Sequence, residues 1–155
     1  MPLARGDPAP TVRAKDQHGA PIELTFEAPT VLFFYPRDGT PGCTTEASQF
    51  DAERATYAEA GLTAYGISTD DVEDHAMFAE DEGLEVPLLA DPDGETAAAF
   101  EVPVENGRAA RTTYVLTDGV VERVYEDVQP DGHPRRVLED LLSDGVVELD
   151  WYVPP

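Results

Sequence analysis

Residues 31–50 read VLFFYPRDGTPGCTTEASQF, and this stretch decides the architecture. Val31 to Tyr35 is an apolar run without polar alternation, the pattern of a strand buried on both faces of a sheet. Pro36 removes a backbone donor and ends the run, and Arg37-Asp38-Gly39 forms a loop. A helix follows. Thr40 is placed to cap it, and Pro41 takes the first helical position, where a missing N–H costs nothing. Cys43, Ala47, Phe50 and Tyr57 fall at offsets 0, 4, 7 and 14, one helical face. Arg54 interrupts that face at offset 11, and Gly61 stops the helix.

Outward from this core the pattern alternates. Upstream, Pro2, Pro8 and Pro10 predict an extended opening, and Val12 to Asp16, His18-Gly19 and Ile22 to Leu24 predict a small β-hairpin. Downstream, Leu62 to Ser68 reads as a strand. Thr69-Asp70-Asp71 then cap a helix running to about Glu82, which Gly83 ends. Leu84 to Ala90 reads as a short strand around Pro87, Asp91-Pro92-Asp93-Gly94 as a turn, and Glu95 to Phe100 as a short helix. Arg111 to Thr117, the turn Asp118-Gly119 and Val120 to Tyr125 form a second hairpin. A last helix is predicted from about Pro134 to Leu142, and a tail, residues 145–155, carries Trp151 and Tyr152. Helix-joined strands followed by an antiparallel pair predict an α/β fold with a mixed central sheet flanked by helices. The length, 155 residues, suits one domain spanning 1–155.

Composition narrows the function. Asp and Glu number 32 against 10 Lys and Arg, giving a formal net charge of −22. Such a surface does not attract a nucleic-acid backbone or anionic lipid. With 41% hydrophobic residues gathered in short runs, the chain reads as globular rather than disordered. No targeting segment is legible, and no apolar run approaches membrane-spanning length, so the expectation is a cytoplasmic protein. His18, His75 and His133 are far apart, without metal-ligand spacing, and are expected at the surface; no metal site is predicted. Asp91-Pro92-Asp93-Gly94 lacks the rest of a calcium loop, and no glycine-rich phosphate loop is present. Trp151-Tyr152 reads either as a cover for an apolar patch or as a loose end.

Cys43 is the single cysteine, which excludes an intramolecular disulfide. Alone, a free cysteine is more often a small buried apolar residue. Cys43, however, follows Thr40-Pro41-Gly42 at about the third helical position, where unpaired N–H groups and the helix dipole favour an anion. Gly42 removes side-chain bulk beside it, leaving room for a small substrate. These are the conditions for a nucleophilic thiolate.

The run Phe34 to Ala47, with its Pro36…Thr40…Cys43 spacing, its Pro41-Gly42-Cys43-Thr44 core and the following Glu46-Ala47, resembles the active-site segment of peroxiredoxins. Within them it is similar to the Q type, the bacterioferritin comigratory protein group. Phe78-Ala79 through Gly83-Leu84, Pro87-Leu88-Leu89, Asp91, and Arg111 to Leu116 agree, so the likeness covers about Gly6 to Leu142.

The resemblance implies a thioredoxin-like fold and thiol-dependent peroxidase activity on hydrogen peroxide or organic hydroperoxides. It implies that Cys43 is the nucleophile and becomes a sulfenic acid. By the same likeness Thr40 holds the peroxide, Pro36 shields the sulfur, and Arg111 stabilises negative charge. Glu46 either orients Arg111 or is a first-turn acid favoured by the dipole. No metal or organic cofactor is implied, since the sulfur carries the redox chemistry. Many Q-type members carry a resolving cysteine five residues after the first; here that position is Ser48. An external thiol, low-molecular-weight or borne by a thioredoxin-like protein, is therefore expected, acting on a monomer or weak homodimer. The competing reading is a peroxide sensor that signals through Cys43 oxidation.

The charge generates its own expectation. A surface at −22 repels itself, and salt mutes the repulsion as the Debye length falls from about 10 Å at 0.1 M to about 3 Å at 1 M. A protein from a high-salt cytoplasm is expected to melt at a higher temperature in molar KCl than in dilute buffer. Thermal unfolding followed by circular dichroism across that range checks this, and a melting point that does not rise refutes it.

Overall fold

The structure, a computed structural model, describes residues 2–152. In chain order the elements are β1 (Val12–Lys15), β2 (Pro21–Leu24), β3 (Thr30–Phe34), α1 (Pro41–Ala52), α2 (Arg54–Glu59), β4 (Thr63–Ser68) and α3 (Val72–Glu82). Then come β5 (Leu88–Ala90), α4 (Glu95–Ala99), β6 (Val104–Glu105), β7 (Arg108–Ala109), β8 (Thr112–Thr117), β9 (Val120–Tyr125) and α5 (His133–Ser143).

β3 lies inside a seven-stranded mixed sheet of order β2-β1-β5-β4-β3-β8-β9. It pairs in parallel with β4 and antiparallel with β8. All five of its residues are buried, as an unalternating apolar run requires. The pleat sends Val31 and Phe33, with Tyr35 beyond them, to a core shared with α1, α3 and α5. Leu32 and Phe34 face a second core with Ala97 and Phe100. Phe33 stacks on Phe50 of α1 with centroids 4.1 Å apart, which seats the helix on the strand. Burial of each such side chain contributes roughly 1.5–3 kcal/mol.

The sequence predicts one helix from Pro41 to Gly61; the chain instead breaks at Glu53 into α1 and α2. The position of Arg54 offers a physical reason. Continued straight, the helix would aim Arg54 into the core on the face of Cys43. Past the break Arg54 faces solvent, where its Nη1 lies 2.9 Å from Glu85 and 3.6 Å from Asp51, while Tyr57 stays buried and donates to Pro134 O. The far half of α1 is tied down. Asp51 Oδ1 accepts from the Glu85 and Val86 amides, Gln49 bonds Asp131 and the Gly132 amide, and Glu53 pairs with Arg135.

Other expectations hold or shift for local reasons. Asp71 caps α3 by accepting from the Asp74 amide, and Gly83 ends it with φ 65°. β5 starts at Leu88 because Leu84 is spent on the α3 terminus and Pro87 has no N–H. The Asn106-Gly107 turn, unread in the sequence, joins β6 and β7 with φ of 53° and 75°. In the tail Val147 and Leu149 are buried and Tyr152 packs on the first core, so the segment covers an apolar patch; Trp151 is exposed. Among the described residues no helix is long and apolar enough to cross a membrane.

Gly66 of β4 gives this packing a sharp test. A Cβ there would meet Phe33 Cζ at 2.7 Å and Leu88 Cδ2 at 3.0 Å. Gly66→Ala is expected to destabilise by about 1–3 kcal/mol, because the Phe33 ring it displaces is stacked on α1. Urea denaturation reads the loss.

Candidate active site

β3 ends at Phe34, whose partner on β8 is Thr112, so Arg111 leaves β8 beside the point where the chain turns toward α1. Thr40 is the N-cap, and Pro41, Gly42 and Cys43 are the first three residues of α1. Cys43 is 1% exposed. Arg111 Nη2 donates to Cys43 Sγ at 3.4 Å, and Nη1 donates to Glu46 Oε1 at 2.8 Å. One guanidinium thus spans the sulfur and a carboxyl group one helical turn on, with its positive charge against both.

Glu46 is fully buried and lies beyond the first turn of α1, so the dipole does not account for it. Its Oε2 has no hydrogen-bond partner. Burial pushes its pKa up and the Arg111 charge pulls it back, leaving it at about 7. Gly42 has a different use from the one its size suggests. A Cβ would lie 3.1 Å from Arg111 Nη2 and 3.5 Å from Pro130 Cγ, so the missing side chain admits the guanidinium rather than open space.

Thr40 caps by position only. Its hydroxyl donates to Arg37 O at 3.0 Å instead of capping an α1 amide. Pro36 is half-buried directly after Tyr35, whose N–H makes a last sheet-like bond to Ile67 O. Ser48, half-buried, stands on the same unbroken helix as Cys43, about 7–8 Å further along its axis. The structure therefore brings Cys43, Arg111, Glu46 and Gly42 into one cluster, with the Pro36–Thr40 loop leading into it.

Two of the three histidines are not at the surface. His75 and His133 are buried, 0% and 5% exposed, and His18 alone is exposed. Each buried ring has polar partners. His75 Nε2 faces Leu89 O at 2.9 Å and its Nδ1 faces Asp38 Oδ2 at 2.6 Å. His133 Nε2 faces Thr113 Oγ1 at 2.9 Å, and burial, helped by Arg136 and Arg111, lowers its pKa to about 4. His75 sits three and four residues before buried Phe78 and Ala79, and that helical spacing was the signal for its burial. Asp38, Asp70 and His75 bring ligand-type atoms within 4.8 Å of one another, yet both nitrogens of His75 are already engaged.

Comparison with known proteins gives one answer. Residues 5–124 match the AhpC/TSA family. The chain is 37% identical to the chloroplastic peroxiredoxin Q of Sedum lineare over 91% of its own length and 79% of that protein. The structure superposes on peroxidoxin BcpB from Mycobacterium tuberculosis with TM-score 0.82 and 38% identity, covering 90% of this chain and 96% of that one. It superposes on Xanthomonas campestris bacterioferritin comigratory protein, studied for alkyl peroxide reduction, with TM-score 0.79 and 29% identity, covering 86% and 91%. With a cysteine and an arginine in contact at the head of α1, this chain belongs to the AhpC/TSA family, in its peroxiredoxin Q group, and is a thiol-dependent peroxidase.

Proposed function

We propose that Cys43 is the peroxidatic nucleophile, acting on hydrogen peroxide and alkyl hydroperoxides with an external thiol as reductant. The Arg111 Nη2–Cys43 Sγ contact carries this reading. The thiolate lone pair attacks the terminal peroxide oxygen and the O–O bond breaks. The departing oxygen leaves with the bonding pair, takes a proton and becomes water or an alcohol. Cys43 becomes a sulfenic acid, oxidised by two electrons. Arg111 meets the negative charge that develops as the bond breaks, and Thr40 accepts a hydrogen bond from the peroxide. Pro36, by closing β3, keeps bulk water off the sulfur. The alkyl hydroperoxide side of the reading draws on the Xanthomonas relative.

Serine at position 48 sends the second half of the cycle to a partner. A first external thiol condenses with the sulfenic acid, releasing water and leaving a mixed disulfide. A second attacks that disulfide, freeing Cys43 and carrying away the oxidised pair. The site is recessed, which favours oxidised monomer over a Cys43–Cys43 dimer. The protein acts in a saline cytoplasm, on the strength of its charge.

Turnover tests the reading. Purified protein with dithiothreitol is expected to consume many equivalents of peroxide, Cys43→Ser none, and oxidised protein to run as a monomer without reductant. Consumption of one equivalent followed by arrest marks a sensor instead, and a full-yield disulfide dimer refutes external resolution.

Glu46 yields a pH prediction. Its carboxyl holds a proton to about pH 7 in the fold, against 4.5 as its ordinary value. Between these values the folded state binds more protons than the unfolded chain, so this contribution to stability falls as pH rises and is gone above 7. The stability of the wild type relative to Glu46→Gln is expected to drop by up to about 3 kcal/mol from pH 4.5 to 7, then level off. Urea denaturation of both proteins across that window measures it.

A further inference from the structure

The loop that leads to Cys43 is held from behind by groups the mechanism does not use. Asp38 Oδ1 accepts from Tyr35 OH at 2.6 Å, and Oδ2 lies 2.6 Å from His75 Nδ1. The Asp38 amide donates to Asp70 Oδ2 at 2.8 Å, and Ser68 Oγ donates to the same oxygen at 2.7 Å. The Asp38 N–H and the Arg37 carbonyl belong to one planar peptide unit, and a peptide turns only as a whole. The Arg37 end of that unit accepts the Thr40 hydroxyl at 3.0 Å. Asp70 therefore grips one edge of a rigid plate whose opposite edge holds Thr40 Oγ1. A threonine hydroxyl has one proton and two acceptor lone pairs. With the proton committed to Arg37 O, only lone pairs are left, and the plate sets where they point.

We propose that Asp70 is a positioning residue for peroxide reduction, acting through the Arg37–Asp38 peptide to aim the Thr40 lone pairs at the peroxide O–H. Asp38, clamped by Tyr35 and His75, holds the plate at the same depth. This rests on the reading of Thr40 as the group that receives the peroxide. The effect is specific to peroxide. An electrophile that needs no hydrogen bond from Thr40, such as iodoacetamide, meets the same sulfur without using the plate.

Single-turnover reaction of Cys43 with hydrogen peroxide and with iodoacetamide, both followed by mass spectrometry of the thiol, separates the cases. Asp70→Ala is expected to slow the peroxide reaction by about tenfold or more while alkylation stays within about twofold, since small misplacements at a reacting centre are costly. Asp70→Asn, whose carbonyl oxygen still accepts from the Asp38 amide, is expected to restore the peroxide rate. Thr40→Val is expected to slow the peroxide reaction by itself, and adding Asp70→Ala to it to cost nothing more. If alanine at 70 does not fold, Asp70→Ser, with a side chain too short to keep the bond, takes its place.

Equal slowing with both reagents, no slowing with peroxide, or losses that multiply in the double variant each overturn the proposal. So does failure of Asp70→Asn to rescue. A wild-type peroxide rate for Thr40→Val alone overturns the Thr40 role beneath it. That failure is read separately from the Asp70 comparison.

Discussion

The partly buried Arg111 guanidinium spans the buried Cys43 Sγ and Glu46 Oε1, and the fold is arranged to permit it. β8 must run antiparallel to β3 in a register that ends at Phe34 and Thr112, or the arginine would miss the helix. Glu46 must follow Cys43 by three residues to stand on the same helical face. Glycine at position 42 leaves the guanidinium its place, since a Cβ there would lie 3.1 Å from Arg111 Nη2. A partly buried cation without partners would be unfavourable; with a carboxyl group on one side and sulfur on the other it is tolerated.

Charge divides the molecule into two regimes. Most of the 32 acids form the solvated coat, where a lost interaction costs little. Among the described residues only Glu46 and Asp91 are buried acids, and each has defined work. Asp91 accepts the Thr96 and Ala97 amides at the start of α4, the ordinary solution for a buried carboxylate. Glu46 keeps one oxygen unpartnered, and burial raises its pKa to about 7 despite the neighbouring Arg111 charge.

Much of this was legible in the chain, and the remainder was hidden for physical reasons. The apolar run Val31–Tyr35, the Pro36 stop and the Pro41 start placed the central strand and the helix that bears Cys43, and Asp118-Gly119 placed the hairpin beyond Arg111. The break at Glu53 was foreshadowed by the misplaced Arg54, but periodicity alone does not say whether a chain breaks or buries a charge. His133 gave no warning, since its partner Thr113 is on a distant strand. The Asp38–Asp70–His75 cluster was equally silent, because it joins a loop, a strand end and a helix whose separations in sequence carry no spacing rule. Arg111 was legible through likeness to a family; as a bare residue it was one of nine arginines in an acidic protein.

The ties on the far half of α1 bear on how a reductant gains entry. Gln49 is fastened to the Asp131–Gly132 turn, Asp51 to the Glu85 and Val86 amides, and Glu53 to Arg135. The opening turn, with exposed Pro41 and the side-chain-free Gly42, is tied among the described residues through Arg111 to Cys43. Like a zip stitched at one end, the helix carries its side-chain ties to the α3–β5 segment, the Asp131–Gly132 turn and Arg135 on its far half. A reductant that reached Cys43 from the side of the Pro36–Thr40 loop would therefore leave all of those ties in place.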